Sequence, residues 1–305
     1  MLDKENIILV TGATSSQGRA VATALLKHGN RVRISVRESS AESEATKTLA
    51  KSGAEVVIAD IEDQRSLQSA FQGVYGVFSV QAMDNGTDSE RRHADILVSV
   101  AIQSRIQHMV HVSVSQLGNF KNFPGWGENK WNEKYWNDKE YAENVVKQAG
   151  FKYWTILRPT FFMDNFILPK ASFMYPGLEN GKITVVFNPG KKLQFVDVKD
   201  TGEFAAAAFN DPDKFNRQII ELASDEMTIG EIADLISKTT DKKVDVEHLT
   251  EQEGVSKGMV WPLANYQEWT NVVGYNVDIR ALKNYGIPLT SFKDFFERNK
   301  NLLPL

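Results

Sequence analysis

The residues best suited to chemistry come early, where Thr11-Gly12-Ala13-Thr14-Ser15-Ser16-Gln17-Gly18 links a short apolar run to a helical one. A bound diphosphate needs such a turn for three reasons. The chain must reverse tightly, bare amides must approach phosphate oxygens, and the helix must pack closely on the strand. The start of that helix adds oriented N–H donors and a partial positive charge. Gly12 and Gly18 fit the first and last positions, whereas Ser15 stands in the middle, where glycine is usual. Further on, Arg37 follows Ile34-Ser35-Val36, where a carboxylate would meet the ribose hydroxyls of NAD. A guanidinium instead matches a 2′-phosphate through two parallel hydrogen bonds, so NADP(H) is the expected cofactor. The plain alternative is a solvated arginine beside Glu38. Asp60 is expected either to meet the adenine amino group or to cap the helix that opens near 61–63.

The elements that must position these groups alternate regularly. Residues 7–10, 31–36, 55–59, 75–80, 108–112 and 153–157 are short, β-branched and continuous enough to read as strands buried on both faces. Between them, 17–28, 41–52, 63–71, 88–104 and 137–149 carry helical spacing. In the first helix Ala20, Val21, Ala24 and Leu25 form one apolar stripe, and Gly29 supplies the stop. This rhythm predicts an α/β fold: a Rossmann-type, doubly wound parallel sheet over residues 1–159. After Pro159 the pattern breaks up, with turn signals at Pro169, Pro176-Gly177, Asn180-Gly181 and Asn188-Pro189-Gly190. Helices are expected near 200–210, 228–238 and 291–299, with a strand near 217–222. Residues 160–305 therefore read as a smaller, irregular α+β lobe for a substrate or partner, with 193–211 returning to the first domain.

Composition narrows the classes. The 305 residues are 42% hydrophobic and 24% charged, as in an ordinary globular protein. With 35 Lys+Arg against 39 Asp+Glu, the net charge of −4 gives no sign of a nucleic-acid surface. Cysteine is absent, which removes disulfides, thiolate metal sites and a cysteine nucleophile. No run approaches ~18 apolar residues, and the start lacks the basic, long apolar form of a secretory signal. The expected location is the cytoplasm. His93, His108 and His111 lack metal-ligand spacing, and no metal is expected.

Taken together, residues 11–18, Arg37, His111-Val112-Ser113, Leu157-Arg158-Pro159-Thr160-Phe161-Phe162-Met163-Asp164-Asn165 and Asp197-Val198-Lys199-Asp200-Thr201-Gly202 resemble the NmrA-like group of atypical short-chain dehydrogenase/reductases. The resemblance covers nearly the whole chain. It implies a cofactor site of Gly12, Thr14, Ser15, Ser16, Gln17, Gly18, Arg37, Asp60, Gln81, Lys139, Pro159 and Phe161. The run Phe161-Phe162-Met163 is expected on the nicotinamide side, with Asn165 closing that turn. Short-chain reductases also use a Tyr-x-x-x-Lys pair with a serine from the fifth strand, and Tyr135, Lys139, Ser113 and Ser115 are similar in placement. The spacing puts tyrosine and lysine on one helical face. The ammonium lowers the phenol's pKa, the phenol protonates the substrate oxygen, and a serine hydroxyl steadies that oxygen. Many members of the group keep only the lysine. Lys139 could instead be a surface residue paired with Glu143, four positions on. Between Ser113 and Ser115 the sequence leaves the choice open.

The group includes NADPH-dependent reductases of quinones, aldehydes or isoflavone-type compounds, and non-catalytic NADP(H) sensors that bind a protein partner. The resemblance therefore implies a reductase of a small, flat carbonyl or quinone compound, or a regulator whose C-terminal lobe meets a partner. Phe120, Phe123, Trp126, Trp131, Tyr135 and Trp136 crowd the stretch before the Lys139 helix. They suit a flat apolar substrate, or equally a plain core.

Overall fold

The computed structural model describes residues 5–81 and 87–305. Strand and helix alternate through the first half, beginning β1 (Ile7–Val10), α1 (Ser16–Lys27), β2 (Arg31–Val36), α2 (Glu44–Lys51), β3 (Glu55–Ile58) and α3 (Gln64–Ala70). Next come β4 (Val74–Ser79), α4 (Ser89–Gln103), β5 (His108–Val112), α5 (Glu133–Gln148) and β6 (Tyr153–Pro159). The stripe expected on α1 is real: Val21, Ala24 and Leu25 are buried, Ser15 caps the start, and the helix stops at His28 before Gly29. α5 begins four residues before the expected start at 137, which places Tyr135 inside its first turn.

The rest of the chain runs β7 (Phe161–Phe162), α6 (Ala171–Met174), β8 (Lys182–Val185), β9 (Leu193–Val196), α7 (Val198–Asn210), α8 (Pro212–Phe215) and β10 (Gln218–Leu222). It ends with β11 (Asp225–Met227), α9 (Ile229–Thr240), β12 (Asp245–His248), α10 (Glu251–Ser256), α11 (Trp261–Val272), α12 (Ile279–Leu282) and α13 (Phe292–Arg298).

The main sheet has seven strands in the order β10-β6-β5-β4-β1-β2-β3. From β3 to β6 every neighbouring pair is parallel. This is the doubly wound order, which reverses direction between β1 and β4. Leu9, Val10, Ile34, Val77 and Met109 are fully buried along it, as strands covered on both faces require.

The chain forms two compact units and passes between them repeatedly. The first takes the described residues of Met1–Leu117 with Lys134–Pro159 and Val198–Glu221. α7 joins it because Gly202 leaves room for α1: a Cβ there would stand 2.6 Å from the Ala20 carbonyl. The second takes Gly118–Glu133, Thr160–Asp197 and Leu222–Leu305. In it β9 pairs parallel with β7 and antiparallel with β11, while β8 pairs parallel with β12. Phe166, Tyr175, Phe195, Ile232, Phe292 and Phe296 form its core. Among the described residues no helix is long and apolar enough to cross a membrane.

Candidate functional site

In a parallel sheet every strand ends on the same edge, and loops leaving that edge converge. Gly12 follows β1, Arg37 follows β2, Asp60 follows β3, Gln81 follows β4, Ser113 and Ser115 follow β5, and Pro159 closes β6. The sheet thus gathers nearly all the expected site residues along the carboxyl edge of one unit. Phe161 belongs to the other unit.

The turn after β1 is anchored by Thr11, whose amide and hydroxyl both donate to the Phe78 carbonyl at 3.1 and 2.9 Å. Gly12 has φ +59°, and a Cβ there would lie 2.9 Å from Val80 Cγ1. Gly18 admits no side chain either: a Cβ would stand 2.2 Å from the Gly12 carbonyl oxygen. Ser15 is different. Its backbone is extended, at φ −73° and ψ 163°, and its hydroxyl accepts from the Gly18 amide at 3.1 Å. A capping serine is therefore better suited than glycine at this middle position. The cap takes one orphan amide and leaves those of Ser16 and Gln17 without an acceptor among the described residues. Gln17 also keeps a buried, unpartnered Oε1, and Thr14 lies half-buried in the turn.

Arg37 is exposed and makes no ion pair among the described residues, with Glu38 or otherwise. Arg33, four positions earlier, donates to the Ala70 and Gln72 carbonyls at 2.9 and 2.7 Å and forms an ion pair with Glu55 at 3.0 Å. Asp60 accepts from the Glu62 amide at 2.9 Å, and the cap of α3 is Asp63. Gln81 is buried and donates to Ser79 Oγ at 2.9 Å, and its Oε1 has no partner among the described residues.

Behind the edge, α5, β5 and β6 share a buried polar group. Lys139 is 8% exposed and meets Glu90 of α4 at 2.6 Å, not Glu143. Its Nζ lies over the Tyr135 ring, 5.7 Å from the centroid. Glu143 instead receives Arg158 at both oxygens, each at 2.8 Å. Burial works to raise the Glu143 carboxyl, but the Arg158 guanidinium prevails and holds it below the usual carboxylate range. Arg158 also reaches Glu221 at 3.6 Å, and Glu221 accepts from the Ser115 hydroxyl at 2.8 Å and the Gln116 amide at 3.1 Å. Ser115 is thus tied to a carboxylate. Ser113 is buried beside Glu143, and its hydroxyl closes no short hydrogen bond among the described residues.

Two histidines of β5 complete this layer. Burial pushes His111 down to about 4, with Ser79 Oγ 3.2 Å from its Nδ1. Burial pushes His108 down to about 3, where it is packed among Tyr75, Tyr153 and Phe209 with neither nitrogen partnered. The unfolded chain takes protons on both rings below pH ~6.5, while the folded chain does not until much lower. Stability is thus complete above pH ~6.5 and falls on acidification, by about 1.4 kcal/mol per pH unit for each ring. Urea midpoints followed from pH 6.5 to 4.5 should show this fall, and His108→Leu should roughly halve its slope. A slope unchanged by that substitution would refute the assignment.

Most of the aromatic stretch is core. Phe120, Phe123, Trp131 and Trp136 are buried. Phe123 packs on Trp269 with centroids 5.5 Å apart, and Trp131 Nε1 donates to the Pro124 carbonyl at 2.8 Å. In the same unit a different aromatic row is half-open: Phe161 stacks on Tyr266 at 5.3 Å, and Tyr266 on Trp269 at 5.6 Å. Sequence reading missed Tyr266 and Glu90, and it met Glu143 only as a surface partner for Lys139 and Glu221 with no partner at all. Arg158 was visible only as part of a motif, with no partner to give it a role.

A family model described as "NmrA-like family" matches residues 4–284. The NmrA-like family domain-containing oxidoreductase FrzB of Cladobotryum sp is 27% identical over 260 residues, covering 78% of this chain and 74% of that protein. The NADPH-dependent quinone oxidoreductase QOR2 of Escherichia coli, solved with NADPH, superposes with a TM-score of 0.77 at 20% identity, covering 97% of this chain and 100% of that one. NmrA, a negative transcriptional regulator solved in complex with NADP, superposes at 0.74 and 17% identity, covering 97% and 95%. At such identities the structural likeness speaks for the fold. Family membership rests on the match across residues 4–284: this chain belongs to the NmrA-like family.

Proposed function

We propose that the chain is an NADPH-dependent reductase of a small, flat carbonyl or quinone compound, with the first unit holding the cofactor. The observation that carries this reading is that the strand ends of one sheet edge carry open helix-end amides and an arginine without an ion pair among the described residues. A QOR2 solved with NADPH and an oxidoreductase relative support it. The residues present fit the dinucleotide. Gly12 and Gly18 add no side chain to the turn, Ser16 and Gln17 offer amides, and Arg37, with no ion pair among the described residues, suits a 2′-phosphate.

NADPH, when bound, supplies the hydride. Lys139 orients the nicotinamide ribose from α5, and Gln81 and Pro159 bound that end of the cofactor. Tyr135 gives its phenolic proton to the substrate oxygen as that oxygen becomes a hydroxyl. Ser113, buried beside Glu143, steadies the developing charge with its hydroxyl. Ser115 keeps Glu221 in place instead.

The test is NADPH oxidation with a panel of quinones and aryl aldehydes. Turnover is expected, with Lys139→Ala lowering kcat/KM at least about tenfold. NADPH binding without turnover on any of the panel would favour a cofactor-sensing regulator. The absence of any saturable NADPH signal would end both readings.

A further inference from the structure

Glu90 is a buried carboxylate to which the proposed chemistry gives no task. It lies 1% exposed in the first turn of α4 and, among the described residues, touches one charged partner, Lys139 Nζ at 2.6 Å. Neither of its oxygens gains a hydrogen bond besides. The helix start favours a negative charge at this place. Even so, a buried pair with unsatisfied oxygens stabilises less than two apolar side chains of the same volume. Stability therefore does not account for it.

The lysine's own helix also offers a simpler partner, Glu143, one turn further on. That carboxylate is taken at both oxygens by Arg158, each at 2.8 Å. The charge on Lys139 is balanced from the neighbouring helix, and its direction is set from there.

We propose that Glu90 is a positioning residue, which holds the Lys139 ammonium where it meets the cofactor ribose. This rests on the cofactor reading above and adds a residue to it. The contact ties α4 to α5 at the one side chain of α5 assigned to the cofactor. A carboxamide in its place fills the same space but offers no charge to hold the ammonium.

The test is a double-mutant cycle read by NADPH titration, with folding checked by thermal melts. Glu90→Gln is expected to weaken NADPH binding about tenfold in the wild-type background and less than about twofold in Lys139→Ala. An equal loss in both backgrounds, or no loss in the first, overturns the proposal, because a residue with a merely structural role does not act through Lys139. If Glu90→Gln does not fold, Glu90→Asp replaces it in the same cycle under the same criteria. It keeps the charge and withdraws it by one methylene. If the wild-type chain itself binds no NADPH, the cofactor reading fails first and this proposal falls with it. If the wild type binds and the cycle shows no coupling, only this proposal falls.

Discussion

Arg37→Glu is expected to cut NADPH affinity about a hundredfold while leaving NADH affinity equal or improved. The magnitude follows from the contact at stake. A guanidinium on a 2′-phosphate makes charge-assisted hydrogen bonds of about 1.5–3 kcal/mol, and a carboxylate there repels the same phosphate. That carboxylate would suit the two ribose hydroxyls of NADH instead. Folding should be untouched, because Arg37 is exposed, extended at φ −71° and ψ 155°, and free of ion pairs among the described residues. Arg33 supplies the contrast. It is buried across β2 and held by two carbonyls and Glu55, so its loss should lower stability without altering cofactor choice. Parallel titrations with NADPH and NADH, at one fixed salt concentration, decide the matter. An equal drop for both nucleotides would mean that Arg37 does not read the 2′-phosphate.

The doubly wound sheet was legible because its signal is local. Runs such as Ile7-Ile8-Leu9-Val10 and Arg31-Val32-Arg33-Ile34 are short, β-branched and separated by helical spacing, and the strands lie within a residue or two of expectation. The second unit hides its order. β8 finds its partner β12 some 60 residues away, through the pairing of Lys182 with Asp245, and β9 meets β11 through Phe195 and Asp225. Such pairings leave no mark in neighbouring residues. α11 is masked in another way, for its buried face carries polar side chains. Gln267 accepts from the Val186 amide at 2.6 Å, and Asn265 donates to the Lys130 carbonyl at 2.8 Å. These tie down loops, so an amphipathic stripe never forms. At the site, the strand ends followed from topology, but the partners of the charges did not. A spacing of four suggests Lys139 with Glu143, and only the packing of β6 against α5 gives Glu143 to Arg158. The aromatic residues of 120–136 were equally ambiguous, because lining a pocket and filling a core require the same side chains.

Arg158→Met should destabilise the first unit by about 3–5 kcal/mol, the penalty for removing one member of a buried ion pair. Arg158 is itself buried, and its two bonds to Glu143 are parallel, a geometry lysine cannot reproduce. Without the guanidinium, Glu143 is left buried without its main cation, with Lys147 at 3.6 Å as a weak substitute. Glu221 also loses its cation while still holding Ser115 and the Gln116 amide, so the turn after β5 should loosen. The pH dependence fixes the cause. In the wild type Glu143 is held below its usual range, so its pairing contributes above pH ~4.5 and is lost as pH falls through the lowered value. In Arg158→Met the strongest influence holding Glu143 ionised is gone and burial favours the protonated acid, so the gap between variant and wild type should narrow on acidification. Adding Glu143→Leu should recover most of the loss at pH 7, since two apolar side chains replace a pair whose desolvation was costly. Chemical denaturation at pH 7 and pH 5 measures all three chains. A single variant within about 1 kcal/mol of wild type at pH 7, or a double variant no better than the single, would show that this pair does not hold β6 to α5.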